Sequence, residues 1–438
     1  KRQEQERAVE LVCGSERVAL LVGEAGVGKG VVIDAAARAE THAGREPIGI
    51  AVAGATAERL GADSPSLAGR TMTLDALLAR AESGSVALDE RSTVFFDEAG
   101  MADTRRLDGL TALADRSGAK LVVIGDARQL PSIGAGGMFE RLAEHAPTAR
   151  LSDVRRTRDR DEQRAWRELR SGQPERAMAH YRARGQLHLT DTRDETIEQA
   201  VRQWAELTER LPVRDVALMS DASTAEVERL NARAQQLRVE RGDVGATEVE
   251  LPEVQYGLRV GDRIAFIAQH RPEGDRRVEN GTRGEVRDVD PDGRRVTVTT
   301  DGAARNVTLG AEDLGALRLG YAQHLYRQQG ATVERAVVVT GGWQTSREGA
   351  YVEASRARSG TDWHVARDDL GTDGADSERV ERLAELMRAS RAQRPSLDYG
   401  ERETEQSVAR ELERTTERRL GRDLERAHER DRGMGIEL

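Results

Sequence analysis

The sequence predicts an α/β fold with two parallel β-sheets and a small antiparallel β module inserted in the second. Short segments that are apolar throughout alternate with amphipathic helical segments in the first third of the chain, and again from residue 214. Such strands, when separated by helices, form parallel sheets that are covered on both faces. Residues 257–310 instead alternate apolar and polar positions, which is typical of antiparallel strands.

Length and composition limit the class of protein. A chain of 438 residues is too long for a single core, so we expect several domains. The net charge of -10 argues against a protein that coats nucleic acid by bulk attraction, although its 67 basic residues can still line one channel. No apolar run spans a bilayer and the single cysteine, Cys13, cannot form an internal disulfide, so we expect a cytoplasmic protein without a membrane partner. Because the chain opens on Lys1, we expect a piece of a longer protein.

The first region contains four predicted strands, and each ends in polar or glycine-rich residues. They lie at residues 17–23, 47–54, 92–100 and 119–130. Helices are predicted at 55–60 and 74–81. Ligands of parallel sheets bind beyond the carboxyl ends of the strands, so we expect the functional site at these polar ends.

A phosphate-binding loop follows the first strand. Its glycines and lysine have the spacing Gly23-x4-Gly28-Lys29, and the loop opens a helix. Backbone amides and a lysine at a helix N-terminus bind phosphate oxygens, which predicts a P-loop NTPase. The expected nucleotide-binding residues are Gly23, Glu24, Ala25, Gly26, Val27, Gly28, Lys29 and Gly30.

Gly30 departs from this loop pattern, because a Ser or Thr hydroxyl normally reaches Mg²⁺ from this position. No side chain from Gly30 to Ile33 carries an oxygen, and Asp34 lies a full helical turn further on. We expect Mg²⁺ to keep a water in place of the hydroxyl, since it holds several waters readily. The substitution should therefore weaken metal binding more than it impairs the chemistry.

Two acids and an amide follow the later strands of the first region. Asp97 is predicted to hold Mg²⁺, and Glu98 to orient and deprotonate an attacking water. Gln129 is predicted to sense the γ-phosphate. Asp126 is better explained as the cap of the turn that begins at Ala127.

The second region is predicted to contain strands at 214–221 and 335–342 and a helix at 223–240. The antiparallel module between them is a small barrel or sheet, with turns at Asn280-Gly281 and Asp292-Gly293. Residues from about 373 are rich in Glu and Arg, which predicts a short helical run followed by solvated helix or disorder.

The order of these segments resembles superfamily 1 DNA helicases of the RecD-like branch, and most closely the helicase part of conjugative relaxases of the TraA/TraI type. The resemblance covers about residues 3–366. It is carried by Gln5 and by the segments GEAGVGKG, DEAGM, GDARQLPS, LSDVRRTRD, YAQHLYRQQGATV and YVEASRAR.

The resemblance implies two RecA-like P-loop NTPase lobes with a small SH3-like β-barrel insertion in the second lobe. The first lobe would span residues 1–150, and the second 151–256 and 318–370. The SH3-like module would occupy 257–317, leaving 371–438 as a charged helical or disordered tail.

Several nucleotide contacts are implied by the resemblance alone. Gln5 resembles the glutamine that reads adenine, and Gln329 and Gly330 resemble residues near the nucleotide. Arg156 and Arg356 resemble a pair of arginines that contact the γ-phosphate from the second lobe. Arg155 is adjacent and could exchange roles with Arg156.

The resemblance also implies contacts with single-stranded DNA. They are expected at His324, Tyr326 and Arg327, where the family usually carries Thr, His and Lys. Arg preserves attraction to phosphate, whereas Tyr could stack on a base. Thr71 and Thr73 are further candidates, although capping of the helix at 74–81 explains Thr73 equally well.

Two other segments bear on DNA contact. Val52 and Ala53 stand where the family has a Pro-Thr pair, so one hydroxyl contact is missing. A loop in the inserted module is either a strand contact or a solvated hairpin. Its basic residues are Arg271, Arg276, Arg277 and Arg283.

Together these features predict an ATP-dependent 5′-to-3′ single-stranded DNA translocase or helicase that uses ATP and Mg²⁺. The polarity is implied by the resemblance alone. An upstream relaxase domain would be its partner in plasmid DNA transfer. The alternatives are a stand-alone RecD-like repair helicase and a catalytically weakened module that binds single-stranded DNA.

Overall fold

The computed structural model describes residues 2–392, apart from 133, 272–276, 303, 329 and 372. The predicted contact at Gln329, the loop residue Arg276 and the tail beyond residue 392 therefore lie outside the described residues. The predicted helical run at the start of the tail is present as a helix at Asp376–Arg388.

The first sheet has six strands, and every pair within it is parallel, as predicted. The strands are β1 (Val18–Gly23), β2 (Glu46–Ala51), β3 (Thr71–Thr73), β4 (Ser92–Phe96), β5 (Lys120–Gly125) and β6 (Thr148–Leu151). Their spatial order is β3-β2-β4-β5-β1-β6. Every residue of the two central strands, β4 and β5, is buried because helices cover both faces of the sheet.

Helices connect these strands, and local capping sets where two of them begin. Thr73 Oγ1 accepts a hydrogen bond from the amide of Ala76 at 3.1 Å, so the predicted cap is confirmed. Asp103 caps the next helix in the same way, through the amide of Arg106 at 2.9 Å. The helices are α1 (Arg2–Val12), α2 (Lys29–His42), α3 (Gly54–Asp63), α4 (Leu74–Glu82), α5 (Thr104–Ser117) and α6 (Met138–His145).

The chain then forms α7 (Arg160–Arg170), α8 (Pro174–Ala183), β7 (Leu187–Thr190), α9 (Arg193–Thr208), β8 (Val216–Ser220) and α10 (Thr224–Arg241). An antiparallel region follows. Its strands are β9 (Glu248–Glu250), β10 (Gly257–Arg259), β11 (Arg263–Phe266), β12 (Arg283–Asp290), β13 (Arg295–Thr300), β14 (Asn306–Leu309) and β15 (Leu317–Leu319). The last elements are β16 (Ala322–His324), α11 (Leu325–Gln328), β17 (Arg335–Thr340), α12 (Arg347–Ala354), β18 (Thr361–Ala366) and α13 (Asp376–Arg388).

The second sheet is also parallel, with the order β16-β8-β17-β18-β7. Between β8 and β16, five antiparallel strands form a separate sheet in the order β14-β13-β12-β11-β15, and β9 pairs with β10. In β13, the residues alternate between buried and more exposed positions, as the period of two predicts. The insertion is thus antiparallel, while its SH3-like character stays a prediction.

Candidate active site

The phosphate-binding loop joins β1 to α2, and two of its glycines adopt a backbone conformation that favours glycine. Gly26 has φ 75° and Gly28 has φ 86°. A Cβ at Gly26 would lie 2.5 Å from the Cβ of Arg156, and one at Gly28 would lie 2.8 Å from Gln5 Nε2. Glycine is therefore required here both by backbone conformation and by close neighbours.

Lys29 begins α2, and its ammonium group folds back onto the loop. Nζ donates to the carbonyl of Gly23 at 2.8 Å and to that of Glu24 at 3.4 Å. Phosphate oxygens would offer this cation charge-assisted hydrogen bonds, which are stronger than those to neutral carbonyls. The ammonium group of Lys29 is thus held where it can donate to the oxygens of a bound phosphate.

Asp97 and Glu98 follow β4, where the sheet presents its carboxyl ends. Glu98 has φ 51°, an uncommon left-handed conformation for a residue with a side chain, and its amide donates to Asp97 Oδ1 at 2.9 Å. Burial, and next the charge of Glu98, raise the pKa of Asp97 to about 6, against the opposing pull of Lys29. A cation bound between the acid and a phosphate would favour the ionised form.

A cleft of about 380 Å³ collects most of the predicted nucleotide-binding and catalytic residues. Gln5, Gly23, Thr71, Thr73 and the residues 324–327 do not line it. Those that line it are Glu24, Ala25, Gly26, Val27, Gly28, Lys29, Gly30, Asp97, Glu98, Gln129, Arg155, Arg156, Gly330 and Arg356.

Gln129 and Gln5 have different relations to this cleft. Gln129 is buried in its wall, and its Oε1 has no hydrogen-bond partner among the described residues. Because an amide oxygen only accepts hydrogen bonds, this atom fits a water that attacks the γ-phosphate and not a phosphate oxygen. Gln5 lies beside the cleft, where its Nε2 is 3.4 Å from the carbonyl oxygens of both Val27 and Gly28.

Two buried arginines close the cleft. Burial lowers the pKa of Arg356 to about 10, and burial together with the charge of Arg356 lowers the pKa of Arg156 to about 9. The charge of each guanidinium is thus destabilised, and an anion such as a phosphate would relieve both. Arg356 follows α12, next to the second sheet, and its Nε donates to the carbonyl of Val352 at 2.9 Å.

Arg156 does not lie where the resemblance implied. It follows β6, the edge strand of the first sheet, and its amide donates to the carbonyl of Gly26 at 3.1 Å. The reason is that the chain turns back over the phosphate loop before it crosses to the second sheet. Its guanidinium also donates to the carbonyl of Ser355, so the two arginine segments are joined.

A buried network behind the phosphate loop was not predicted. Tyr351 Oη accepts from the amide of Ala25 at 2.8 Å and donates to Asp126 at 3.2 Å. Arg170 donates to the same carboxylate at 3.0 Å, and lies 3.6 Å from Glu24. The predicted cap is also present, because the amide of Arg128 donates to Asp126 at 3.0 Å.

Arg59 on α3 is a further cleft residue that the sequence did not predict. It lines the cleft, and a Cβ at Gly330 would overlap its guanidinium. Its charge also opposes the rise in the pKa of Asp97 that burial causes. The available signal was its position one to two helical turns beyond Val52 and Ala53, in a segment already matched to the family.

The described residues contain no cluster of three His, Cys, Asp or Glu side chains that could hold a metal ion by itself. Asp97 therefore fits Mg²⁺ only together with nucleotide oxygens and water. Asp34 cannot replace the missing hydroxyl at Gly30, because it accepts from the amide of Ser66 at 3.0 Å and pairs with Arg38. A Cβ at Gly30 would meet no atom within 4 Å, so the space for a hydroxyl-bearing side chain is open.

The predicted DNA contacts lie on three elements, β16, α11 and β3. His324 ends β16, and its ring stacks on that of Tyr326 with centroids 5.6 Å apart and an angle of 17°. Arg327 is exposed on α11. Thr71 and Thr73 lie on β3 of the first sheet. None of the helices described above combines the length and apolar character needed to cross a bilayer.

The phosphate loop, the acids after β4 and the buried arginines form a P-loop ATPase site, and comparison with known proteins relates the chain to DNA helicases. Residues 2–192 match the family model described as AAA domain, which is that of Pif1- and RecD-like superfamily 1 helicases. The predicted relationship to this branch is thereby confirmed.

Curated relatives refine this relationship. The chain is similar to the conjugal transfer protein TraA of Rhizobium radiobacter, with 30% identity over 399 residues that cover 90% of this chain and 34% of the relative. It is also similar to the probable conjugal transfer protein TraA of Sinorhizobium fredii, with 29% identity over 397 residues and the same coverage. The chain thus spans about a third of the length of the curated relatives it matches.

Solved structures with a similar fold include Pif1 helicases. A Pif1 helicase from Bacteroides in complex with ADP-AlF3 and ssDNA has a TM-score of 0.54 at 17% identity, over 82% of this chain and 91% of that one. A structure of two coordinating Pif1 helicases at forked dsDNA has a TM-score of 0.53 at 19% identity, with the same coverage.

Proposed function

We propose that this chain is an ATP-driven motor that moves along single-stranded DNA in the 5′-to-3′ direction. The observation that carries the proposal is that Lys29, Glu98, Gln129 and Arg356 line one cleft, with Arg356 coming from beside the second sheet. An ATPase needs phosphate binding, a general base and positive charge at the transferred phosphoryl group, and the cleft offers all three. The fold shared with a Bacteroides Pif1 complex that holds ssDNA supports DNA as the track.

Hydrolysis in this cleft would use groups from both sides. The loop amides and Lys29 would hold the β- and γ-phosphates, while Glu98 takes a proton from a water that attacks the γ-phosphorus. The bond from that phosphorus to the bridging oxygen breaks, and ADP leaves with the electron pair. Mg²⁺, held through Asp97, would neutralise charge on the phosphate oxygens. Arg156 and Arg356 would stabilise the charge that spreads over the transferred group.

Movement would follow from closure of two RecA-like lobes built on the two sheets. Arg356 follows α12, which lies beside the second sheet. Its contact with the γ-phosphate would therefore draw the two lobes together, and product release would let them open. We propose that the inserted antiparallel sheet is an SH3-like module that closes over the DNA. This proposal is supported by Thr282 Oγ1, which donates to Glu58 of α3 at 3.1 Å and so joins the insertion to a first-sheet helix.

The test is an ATPase assay with and without single-stranded DNA, in the presence of Mg²⁺. The proposal expects strong stimulation by DNA, and loss of turnover in Glu98→Gln with nucleotide binding retained. Displacement of streptavidin from either end of a biotinylated strand would report the polarity. A protein that binds ATP but shows no stimulation at any Mg²⁺ concentration would contradict the motor and favour a weakened binding module.

The similarity to two TraA proteins supports a role in conjugative transfer, within a larger cytoplasmic protein that carries a relaxase domain. The full open reading frame is the direct test. A relaxase domain encoded upstream of Lys1 is expected, whereas a gene without one would favour a stand-alone repair helicase.

A further inference from the structure

Trp343 is the tryptophan that the fold leaves in solvent. It is 75% exposed, whereas Trp166, Trp204 and Trp363 are at most 2% exposed. Trp343 lies in the loop between β17 and α12, at the carboxyl end of a central strand of the second sheet. A single exposed apolar residue does not by itself indicate a binding site, so a role for Trp343 has to be inferred from its neighbours.

The neighbours of Trp343 form one surface with the predicted DNA contacts. The guanidinium of Arg391 lies 5.5 Å from the centre of the Trp343 ring and donates to the Trp343 carbonyl. The adjacent Gln344 lies 3.3 Å from His324 Nε2, and His324 stacks on Tyr326. This surface contains the rings of His324, Tyr326 and Trp343 and the guanidinium of Arg391.

The position of Arg391 on this surface is fixed by its backbone. Its amide donates to Glu348 of α12 at 3.0 Å, and Ser390 Oγ donates to the same carboxylate at 2.6 Å. The positive charge of Arg391 also reaches the phenol of Tyr326, where it opposes the rise in pKa that burial causes. Arg391 therefore lies over the Trp343 ring and close enough to Tyr326 for its charge to act on the phenol.

Such a combination matches the chemistry of unpaired nucleic acid. Flat aromatic rings stack on bases of any sequence, and a neighbouring guanidinium attracts the phosphate that follows each base. Because Trp343 stays three-quarters exposed with Arg391 beside it, ring area remains open for a base. A duplex would not offer its stacked bases to this ring.

We propose that Trp343 stacks on an unpaired base of the strand along which the protein moves, with Arg391 holding the ring and contacting the adjacent phosphate. This assignment rests on the proposed function, since it needs single-stranded DNA as the track. The second sheet would then grip a base as well as the phosphate backbone.

Fluorescence can isolate this residue because the other three tryptophans are buried. Acrylamide should quench Trp343 and leave the buried ones largely unaffected, and unlabelled oligothymidylate should protect it from the quencher. The same strand should also lower the emission of Trp343 by stacking. Both effects should be missing in Trp343→Leu.

Affinity measured by anisotropy of a labelled oligothymidylate supplies the second arm. Trp343→Leu should weaken binding at least about five-fold, as expected for one lost stack, while Trp343→Phe should retain most of the affinity. Wild type and Trp343→Leu should bind a fully abasic strand equally. Val239→Ala, which shortens another exposed apolar side chain, should bind as wild type does.

Each failure has its own meaning. Wild-type protein that binds no oligonucleotide overturns both the proposed function and this assignment. Wild-type protein that binds DNA while Trp343 stays open to acrylamide, with Trp343→Leu unchanged in affinity, overturns the assignment alone. The assignment is also overturned if Trp343→Leu loses as much affinity for the abasic strand as for the normal strand. Thermal unfolding at the wild-type temperature shows that the variant is folded.

Discussion

The hydroxyl of Tyr351 accepts a hydrogen bond from the amide of Ala25 at 2.8 Å, and thereby joins α12 to the phosphate loop across 326 positions of sequence. The same hydroxyl donates to the buried carboxylate of Asp126. Because α12 leads directly into Arg356, one short helix connects the phosphate loop to an arginine on the other side of the cleft. We infer that Tyr351 positions the loop for nucleotide.

Tyr351→Phe should therefore destabilise the protein and raise the KM for ATP. Removal of the hydroxyl leaves the buried amide of Ala25 without its partner, which costs about 1–3 kcal/mol. Tyr181→Phe is a matched control, since its buried hydroxyl donates to Glu162 at 3.1 Å and lies outside the cleft. If both variants lose stability but neither changes the KM for ATP, Tyr351 has a structural role alone.

Glu98→Gln should bind ATP and Mg²⁺ but turn over about 10²- to 10⁴-fold more slowly, because the amide cannot accept the proton of the attacking water. Steady-state ATPase rates and nucleotide titrations measure the two properties separately. Exposed Glu82→Gln, at the end of α4, should behave as wild type. Wild-type turnover in Glu98→Gln would assign the base to another residue.

Gly30→Thr should lower the Mg²⁺ concentration needed for half-maximal ATPase activity, or raise turnover, because it restores a hydroxyl where a Cβ meets no atom within 4 Å. Gly30→Ala is the control, since it also replaces the glycine of α2 with a better helix former but adds no oxygen. Lys29→Ala should abolish turnover. Equal metal dependence in Gly30→Thr and Gly30→Ala would show that the hydroxyl is irrelevant here.

Acid should destabilise the second sheet through His364, which is fully buried in β18. Burial, and next the charge of the stacked His188, lower the pKa of His364 from 6.5 to about 3. As the pH falls, the unfolded chain therefore takes up a proton before folded His364 does. The contribution of this group to the free energy of unfolding is fully present above pH 6.5 and is lost as the pH falls towards 3. Lowering the pH from about 7.5 to about 5 should therefore reduce the free energy of unfolding by about 2 kcal/mol through this group.

Urea unfolding at these two pH values measures that cost. His364→Gln, which can still hydrogen-bond to Gln203, should lose about 2 kcal/mol less on acidification than wild type does. The exposed His42→Gln is the control and should lose as much as wild type. An equal acid sensitivity of all three proteins would place the acid-sensitive group elsewhere.

Local patterns were enough for much of the site. The glycine spacing at residues 23–29 specifies a strand-to-helix turn by itself, and β4 ends beside its acids because an apolar run stops there. The capping of α4 by Thr73 is likewise a matter of four consecutive residues. These features depend on near neighbours, so periodicity and turn chemistry predict them.

Contacts between distant segments were not predictable in this way. Arg170 pairs with Asp126 from 44 positions away, and no pattern along α7 distinguishes it from the other arginines of that helix. Arg156 was expected beside the second sheet, but the return of the chain over Gly26 places it with the first. The exposure of Trp343 also depends on which elements pack around it.

By itself, the sequence determined the two parallel sheets, the phosphate loop and the acids after β4, because each is encoded in a short run of residues. The class of enzyme was implied by the order of these motifs along about residues 3–366. The tertiary structure alone decided that Tyr351 holds Ala25, that Arg59 and Arg356 line one cleft, and that Arg391 lies over the exposed ring of Trp343. The physical reason is that burial and charge pairing depend on which surfaces meet. The packing of whole helices and strands determines which surfaces come into contact, and local propensity does not.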